Sequence, residues 1–346
     1  MKKTQKKAAT LKAIAAECGV SIMTVSRAFK SAHLLDPATR SAILTAAAKK
    51  GYQPDGRMGR PRLRGNAGRR TAQVITNMNL TAGMSLFHAY LLAVMEKAFA
   101  QREYDCLLRT YDGSYPNFVW LCELLRSSPP LPTMIVGDFP LEHLRTLLGL
   151  IPRALLVDFA ENPRLSCPYN SIGFDNVEAA RMAVRHLLET GRQRILLLKG
   201  DPSHFFSREI ERGYREALEV KNTRTDPTLI ANADFTPVGA CQKTKSLIET
   251  GLEFDAVFTN DEMAFGVIKA LREHGMQVPQ DVAVCGCDDL PFGAFLETPL
   301  TTIKLDYAEL GNAAVERLLT PSRNDTPPRR TKLVPRLEIR ESTARR

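Results

Sequence analysis

The sequence predicts an α/β protein built in two parts: a small all-α, strongly basic N-terminal domain, and a larger body of doubly wound parallel sheets arranged as two lobes. Three observations carry this. From residue 71 onward, short apolar runs alternate with amphipathic stretches, and strand–helix alternation implies parallel sheets covered by helices. Residues 10–52 instead show three helical patterns in succession. Charge is divided the same way: residues 1–70 hold 16 Lys and Arg against Glu17, Asp36 and Asp55, whereas the remainder holds 31 basic and 35 acidic residues. The expected division is residues 1–54, a linker over 55–70, and a body over 71–346. At 346 residues the chain has room for two or three folding units.

In the basic head, Thr10 is placed to cap a helix over Leu11–Glu17 that Gly19 ends. Ser21 can cap a second helix, Ile22–Lys30. Asp36 and Pro37 open a third that runs to about Lys50 and stops at Gly51. Leu11, Ile14, Ala15, Val20, Val25, Ala28, Phe29, Ile43, Leu44 and Ala47 have the spacing of one small shared core. Two short helices joined by the tight Gly19-Val20-Ser21 turn form a helix-turn-helix whose second helix presents Met23, Ser26 and Arg27 outward. A net charge of +13 over residues 1–70 fits a polyanion, because neutralising phosphates releases their counterions. A merely solubilising tail would lack this hydrophobic periodicity.

The run Thr10–Arg27, with Thr39-Arg40, Ile43, Ala47-Ala48 and Gly51-Tyr52-Gln53-Pro54, closely resembles the N-terminal signature of the LacI/GalR family of bacterial transcription regulators. The resemblance implies operator DNA as partner. It places base contacts on Ile22, Met23 and Arg27, and phosphate contacts on Thr10, Ser21, Thr24 and Ser26. Two readings stay open at Ile22, which faces the groove or packs inward near Phe29. Arg27 reads guanine bidentately or is a solvated helix charge. Ser21 serves a cap and a phosphate equally well.

Residues 55–70 are a Gly/Arg-rich linker by composition. In the family this stretch forms a hinge helix with a leucine wedge, and counting from Tyr52 the wedge position holds Pro61. Gly59-Arg60-Pro61-Arg62 instead resembles the core of an AT-hook, an extended minor-groove reader that would use Arg60 and Arg62. A plain basic linker is the alternative.

In the body, strands are expected over Ala72–Thr76, Cys106–Arg109, Thr133–Val136, Ala154–Val157, Arg194–Leu198, Asp255–Phe258, Val282–Cys285 and Thr302–Leu305. Helices are expected over Leu86–Gln101, Asn117–Ser127, Leu141–Leu148, Asn176–Thr190, Glu209–Val220, Val238–Thr250, Glu262–His274 and Tyr307–Leu319. Two lobes of this kind hold a ligand at the carboxyl ends of their strands. The resemblance continues through Gly173-Phe174-Asp175-Asn176, Gly213–Leu218, Ala256–Asp261, Val278-Pro279 and Thr301-Thr302-Ile303. It implies a body like the type I periplasmic sugar-binding proteins, here behind a DNA-binding head.

On that resemblance the effector residues fall on Asp175, Phe235, Asn260 and Asp288, a set suited to sugars: carboxylates accept hydroxyl protons, Asn donates and accepts, and an aromatic face covers C–H groups. The first-lobe loop departs from the family pattern, leaving Ser85 and Phe87 as its candidates, with Phe87 equally placeable in the core. Arg208, in the loop Asp201–Arg208, would suit an effector carboxylate or phosphate, or pair with Glu209 or Glu211. For Asp175 and Asp261, capping is the competing role.

No nucleophile elbow, Walker loop or His-Glu-x-x-His occurs, so an enzyme is not expected. Cys285-Gly286-Cys287 is too tight for zinc-ligand spacing, and neither metal nor cofactor is expected. No export signal, membrane span or leucine-heptad tail is seen, so the seven cysteines read as reduced thiols of a cytoplasmic homodimer. The expected activity is that of an effector-controlled regulator, and the resemblance implies repression. A sugar or sugar acid is the expected effector, with a weak likeness to gluconate-type regulators. A nucleobase or phosphorylated metabolite is the runner-up. A sugar-binding protein without DNA activity is the reading from another class.

Overall fold

The structure, a computed structural model, describes residues 10–30, 35–50, 52, 70–77, 85–159, 164–221, 224–320 and 327–344. The chain divides into two compact units, Met1–Gly68 and Arg69–Arg346. Arg70, assigned to the linker from composition, is already the first residue of a strand.

The first unit contains α1 (Leu11–Cys18), α2 (Ile22–Lys30) and α3 (Pro37–Lys49). Local chemistry sets their ends. Thr10 accepts the Ala13 amide at 3.3 Å, Ser21 the Thr24 amide at 3.0 Å, and Asp36 the Thr39 amide at 2.9 Å. Gly19 closes α1 at φ 65°, a left-handed conformation that glycine adopts without a Cβ clash. Ile14, Ala15, Val25, Ala28, Ile43, Ala46 and Ala47 form the buried centre, with Leu11, Val20 and Phe29 packed on it; Leu44 is only half-buried.

The second unit runs β1 (Arg70–Asn77), α4 (Leu86–Gln101), β2 (Tyr104–Tyr111), α5 (Tyr115–Ser127), β3 (Thr133–Val136), α6 (Leu141–Leu150), β4 (Ala154–Val157) and β5 (Asn170–Phe174). It continues through α7 (Asn176–Glu189), β6 (Ile195–Lys199), α8 (Phe205–Val220), β7 (Ile230–Asn232), α9 (Pro237–Glu249), β8 (Ala256–Phe258), α10 (Asp261–Glu273) and β9 (Ala283–Asp288). The last elements are β10 (Thr301–Lys304), α11 (Tyr307–Leu319), β11 (Arg330–Leu333) and β12 (Arg336–Glu338).

Among the described residues these strands form two six-stranded sheets, ordered β2-β1-β3-β4-β5-β11 and β7-β6-β8-β9-β10-β12. All pairings are parallel except β10 with β12. The chain crosses between lobes after β5, after β10 and after β11. At these crossings the Asp175 amide donates to the Leu333 carbonyl at 2.9 Å. The predicted strands and helices all form. β5, β7, β11 and β12 were not expected, because β7 and β12 span three residues each and the edge strand β11 alternates exposed basic residues with half-buried ones. No described helix is long and apolar enough to cross a membrane.

Each sheet reverses its strand order once, between β1 and β3 in the first lobe and between β6 and β8 in the second. At such a switch point the flanking connections leave on opposite faces and open a crevice at the carboxyl ends of the strands. Both switch points therefore place their loops toward one inter-lobe cleft.

Candidate functional site

In the first unit, α2 is pinned through its inward face by Val25 and Ala28, which turns its other face to solvent. Ile22 is 48% exposed and Met23 63%, and Arg27 is exposed as well. The inward-packing alternative for Ile22 is thus not adopted. Two large apolar side chains displayed on so small and basic a domain mark a contact surface. Thr10 and Ser21 both sit exposed at helix N-termini, where free amides and the helix dipole favour a phosphate. Thr24 is half-buried, its hydroxyl 2.8 Å from that of Ser21. Ser26 lies on α2, but its side chain is outside the described residues, as are Arg60, Pro61 and Arg62.

In the second unit, the cleft encloses a cavity of about 650 Å³. One structural rule collects half of its polar wall: a polar residue at the carboxyl end of a strand or within two residues beyond it. Asn77 ends β1, Asp138 follows β3, Asp158 follows β4, Asp201 follows β6, Asn260 follows β8, and Asp288 ends β9. Helix N-termini supply Ser85 and His88 on α4, His204 before α8, and Glu262 on α10. Phe87, Phe206 and Phe235 form the aromatic wall.

Several of these groups are already engaged. Ser85 caps α4, its oxygen 3.0 Å from His88 Nδ1. Asn260 accepts the Met263 amide at 3.0 Å, leaving its amide nitrogen for the cavity. His204 Nδ1 accepts the Phe206 amide at 3.2 Å, so in the neutral ring Nε2 carries the proton. Burial lowers the pKa of His88 and of His204 to about 4, with Arg208 adding to the effect at His204, so both are neutral near pH 7.

Asp158 and Asp288 differ from every other lining group. They are 8% and 4% exposed, yet neither carboxylate has a hydrogen-bond partner among the described residues. Both adopt left-handed backbone, at φ 52° and φ 132°. Burial, aided by Glu209 and Asp138, pushes Asp158 up to about 7; burial, with Asp261, Glu262 and Asp158, pushes Asp288 well above the carboxylate range. Phe235, which carries its ring into the same cavity, is also left-handed at φ 63°. Backbone strain gathered on unpartnered side chains around one cavity is the pattern of a binding site.

The matching sequences agree with this division. Residues 10–55 match the model of bacterial regulatory proteins of the lacI family, and residues 184–343 match a periplasmic binding protein-like domain. The regulator CelR of Thermobifida fusca is 30% identical, covering 96% of this chain and 98% of its own. This chain belongs to the lacI family of bacterial regulators. The repressor CytR of Escherichia coli K12 is 29% identical over 92% of the chain and 91% of its own. Among solved structures, a CelR–cellobiose complex superposes with a TM-score of 0.67 at 27% identity, covering 96% of this chain and 99% of that one. A lac repressor dimer bound to operator and an anti-inducer gives 0.69 at 26%, covering 97% and 99%.

The regulator is thus a DNA-binding transcription factor with a two-lobed, periplasmic-binding-like body. Its structure brings Ser85, Phe87, Phe235, Asn260 and Asp288 into one cavity. Asp175 is not among the lining residues: its carboxylate accepts the Glu178 amide at 3.1 Å as the cap of α7, at a lobe crossing. Arg208 is likewise absent from the lining and pairs with neither Glu209 nor Glu211; its guanidinium donates to the Ser203 carbonyl. Glu211 is held instead by Lys199 and Arg215, and Glu209 by Lys332 and Asn176. Asp261 is a structural pin, accepting the Leu290 amide at 2.7 Å and the Thr302 hydroxyl at 2.6 Å, which fixes the turn that presents Asp288. Cys285 and Cys287 are buried on β9, as strand-end core residues would be.

Asp138, Asp158, His88, Glu262 and Asn77 went unsuspected from sequence. The strand-end rule would have found Asp138 and Asp158, each within two residues of a correctly placed strand. Glu262 carries no such signal.

Proposed function

We propose that this regulator is a repressor that binds a near-palindromic operator as a homodimer in the cytoplasm, and that a small polyhydroxylated effector in the inter-lobe cavity controls that binding. Ile22, Met23 and Arg27 read bases, while Thr10, Ser21, Thr24 and Ser26 contact phosphates. Arg60 and Arg62 lie in the minor groove. The exposure of Ile22 and Met23 supports the first assignment. The homodimer is supported by apolar side chains left exposed on both lobes: Leu107 and Leu108 on the edge strand β2, Trp120 on α5, and Phe292 and Phe295 after β9.

The observation that carries the effector reading is the pair Asp158 and Asp288, buried, unpartnered and facing a cavity with an aromatic wall. Hydroxyl groups would satisfy both carboxylates and the free amide of Asn260, while Phe235 covers an apolar sugar face. The similarity to a regulator solved with cellobiose supports the same class. A sugar acid or a phosphorylated metabolite is disfavoured, because a second anion would meet these carboxylates without a lining Lys or Arg to offset it.

The test is fluorescence anisotropy on a selected operator with sugars titrated in. Asn260→Ala and Asp288→Ala should keep operator affinity and lose the effector response. An unchanged response midpoint in either variant removes that residue from the site.

A further inference from the structure

The cavity wall has an imbalance that hydroxyl recognition alone does not require. Among the described residues, six carboxylates line it (Asp138, Asp158, Asp201, Asp234, Glu262 and Asp288), and no Lys or Arg does. Two of the six are occupied locally: Asp201 is held by the Ser203 amide and hydroxyl, and Asp234 by those of Thr236. The other four form the problem. Asp158 and Asp288 have no partner at all, and one oxygen of Glu262 is buried without one. Beyond burial, Glu209 and Asp138 raise the basicity of Asp158, and Asp261, Glu262 and Asp158 raise that of Asp288. The histidines bring no compensation, since both are held neutral near pH 7. Arg208, outside the lining, is exposed and bound to the Ser203 carbonyl, and its charge offsets only part of the burial penalty on Asp138.

The same cavity is lined by rings. Phe206 and Phe235 lie with centroids 6.2 Å apart, and His204 meets Phe235 edge-on at 5.1 Å. Phe87 completes the wall from the first lobe. Aromatic faces with unpartnered carboxylates are how proteins hold organic cations: the ring quadrupole attracts the charge, and the carboxylates accept its N–H groups.

We propose that the effector carries an ammonium group beside its hydroxyls, as in an amino sugar, held by Asp158 and Asp288 against the Phe206 and Phe235 rings. The inference rests on the cavity being the effector site. Burial and mutual repulsion favour the protonated carboxyls in the empty cavity, and a neutral sugar satisfies their oxygens one hydroxyl at a time without changing that. An ammonium stabilises the ionised carboxylates, whose protons leave to solvent, and supplies three donors. The Asn77, Asn260 and Ser85 polar groups remain for the hydroxyls.

The experiment uses the full-length regulator near pH 7 at fixed ionic strength, with calorimetry and thermal shift against matched compounds. Glucosamine, galactosamine and mannosamine are each compared with the neutral parent sugar, the N-acetyl derivative and the corresponding aldonic acid. At least one amine should bind roughly tenfold or more tighter than its parent and its N-acetyl derivative, the margin of a charge-assisted over a neutral hydrogen bond. The acids should not bind. The amine's advantage should vanish in Asp158→Asn/Asp288→Asn, whose retained operator binding reports an intact fold. Should that variant fail to bind operator, Asp288→Asn alone should lose most of the advantage. Neutral sugars binding as tightly as amines, or silence of all three amines, overturns the ammonium while leaving the cavity as effector site. An amine preference that survives loss of both carboxylates overturns its placement. A bound compound indifferent to Asn260→Ala and Asp288→Ala alike would sink the cavity reading itself.

Discussion

Replacing Asp158 by Asn should stabilise the effector-free regulator by an amount that grows from about pH 4 and levels off near pH 7. The carboxyl is 8% exposed, has no hydrogen-bond partner, and is pushed by burial from an ordinary 3.8 to about 7. At roughly 1.4 kcal/mol per pH unit, that gap is a penalty of about 4 kcal/mol on the ionised folded form. The sign follows from the raised value. Below about pH 4 the group is protonated in both states and contributes nothing adverse. Between about 4 and 7 the unfolded chain ionises first, and stability is lost until the folded carboxyl ionises as well. Asn is neutral throughout and tolerates the φ of 52° better than most residues, so it adds no strain. The groups facing Asp158 are Glu209, Asp138, Asp288 and Tyr307, three of them acids whose repulsion also eases. Relaxation and water entry reduce the ideal figure, so about 2–4 kcal/mol is expected at pH 8 and none near pH 4. For a unit of this size that is roughly 3–7 °C in Tm. Urea and thermal unfolding of parent and variant from pH 4 to 8.5 measure it. A difference that does not vary with pH, or a variant less stable at pH 8, would show that Asp158 is already paired.

Three further outcomes are expected. Arg27→Ala should cost about 1–3 kcal/mol on the selected operator and much less on random DNA, measured by anisotropy; equal losses would reduce Arg27 to a phosphate contact. Gly286→Ala should cost about 2–4 kcal/mol and blunt the effector response, because a Cβ there falls 2.0 Å from Asp261 Oδ1 and displaces the carboxylate that holds Leu290 and Thr302; a variant of parental Tm means that pin is dispensable. Pro61 lacks the amide a hinge helix needs, so Arg60→Ala/Arg62→Ala should lower the salt dependence of operator binding by up to roughly two phosphate equivalents, and an unchanged slope leaves those residues a plain linker.

Fold was legible because it depends on periodicity, which survives burial and strain alike. α2, α4 and α11 fall on their expected residues, and both lobes follow from strand–helix alternation. The strands that escaped were short or at edges, where solvent dilutes the apolar signal. β5 was hidden differently: Asn170, Ser171 and Gly173 interrupt a strand that β4 and β11 cover on both sides.

The cavity was harder to read, for a chemical reason. Helix caps and sugar sites need the same residue types, and in an α/β lobe they occupy the same place, the turn from strand to helix. Asp175, Ser85 and Asn260 are all caps, and two of them also line the cavity. Residue type cannot separate the two roles, because a cap uses one lone pair and leaves the rest of the group free. Partnership separates them. Asp175 and Asp261 have their carboxylates satisfied by the protein, whereas Asp158 and Asp288 do not and hold a left-handed backbone besides. A carboxylate kept dry, unpaired and strained destabilises the empty protein, and the same deficit favours whatever closes on it. An effector that satisfies both groups therefore gains affinity from the instability of the unoccupied cleft, and it gains it only in the lobe arrangement that brings β4 and β9 to one cavity. That differential is what any ligand requires to bias one lobe arrangement over another.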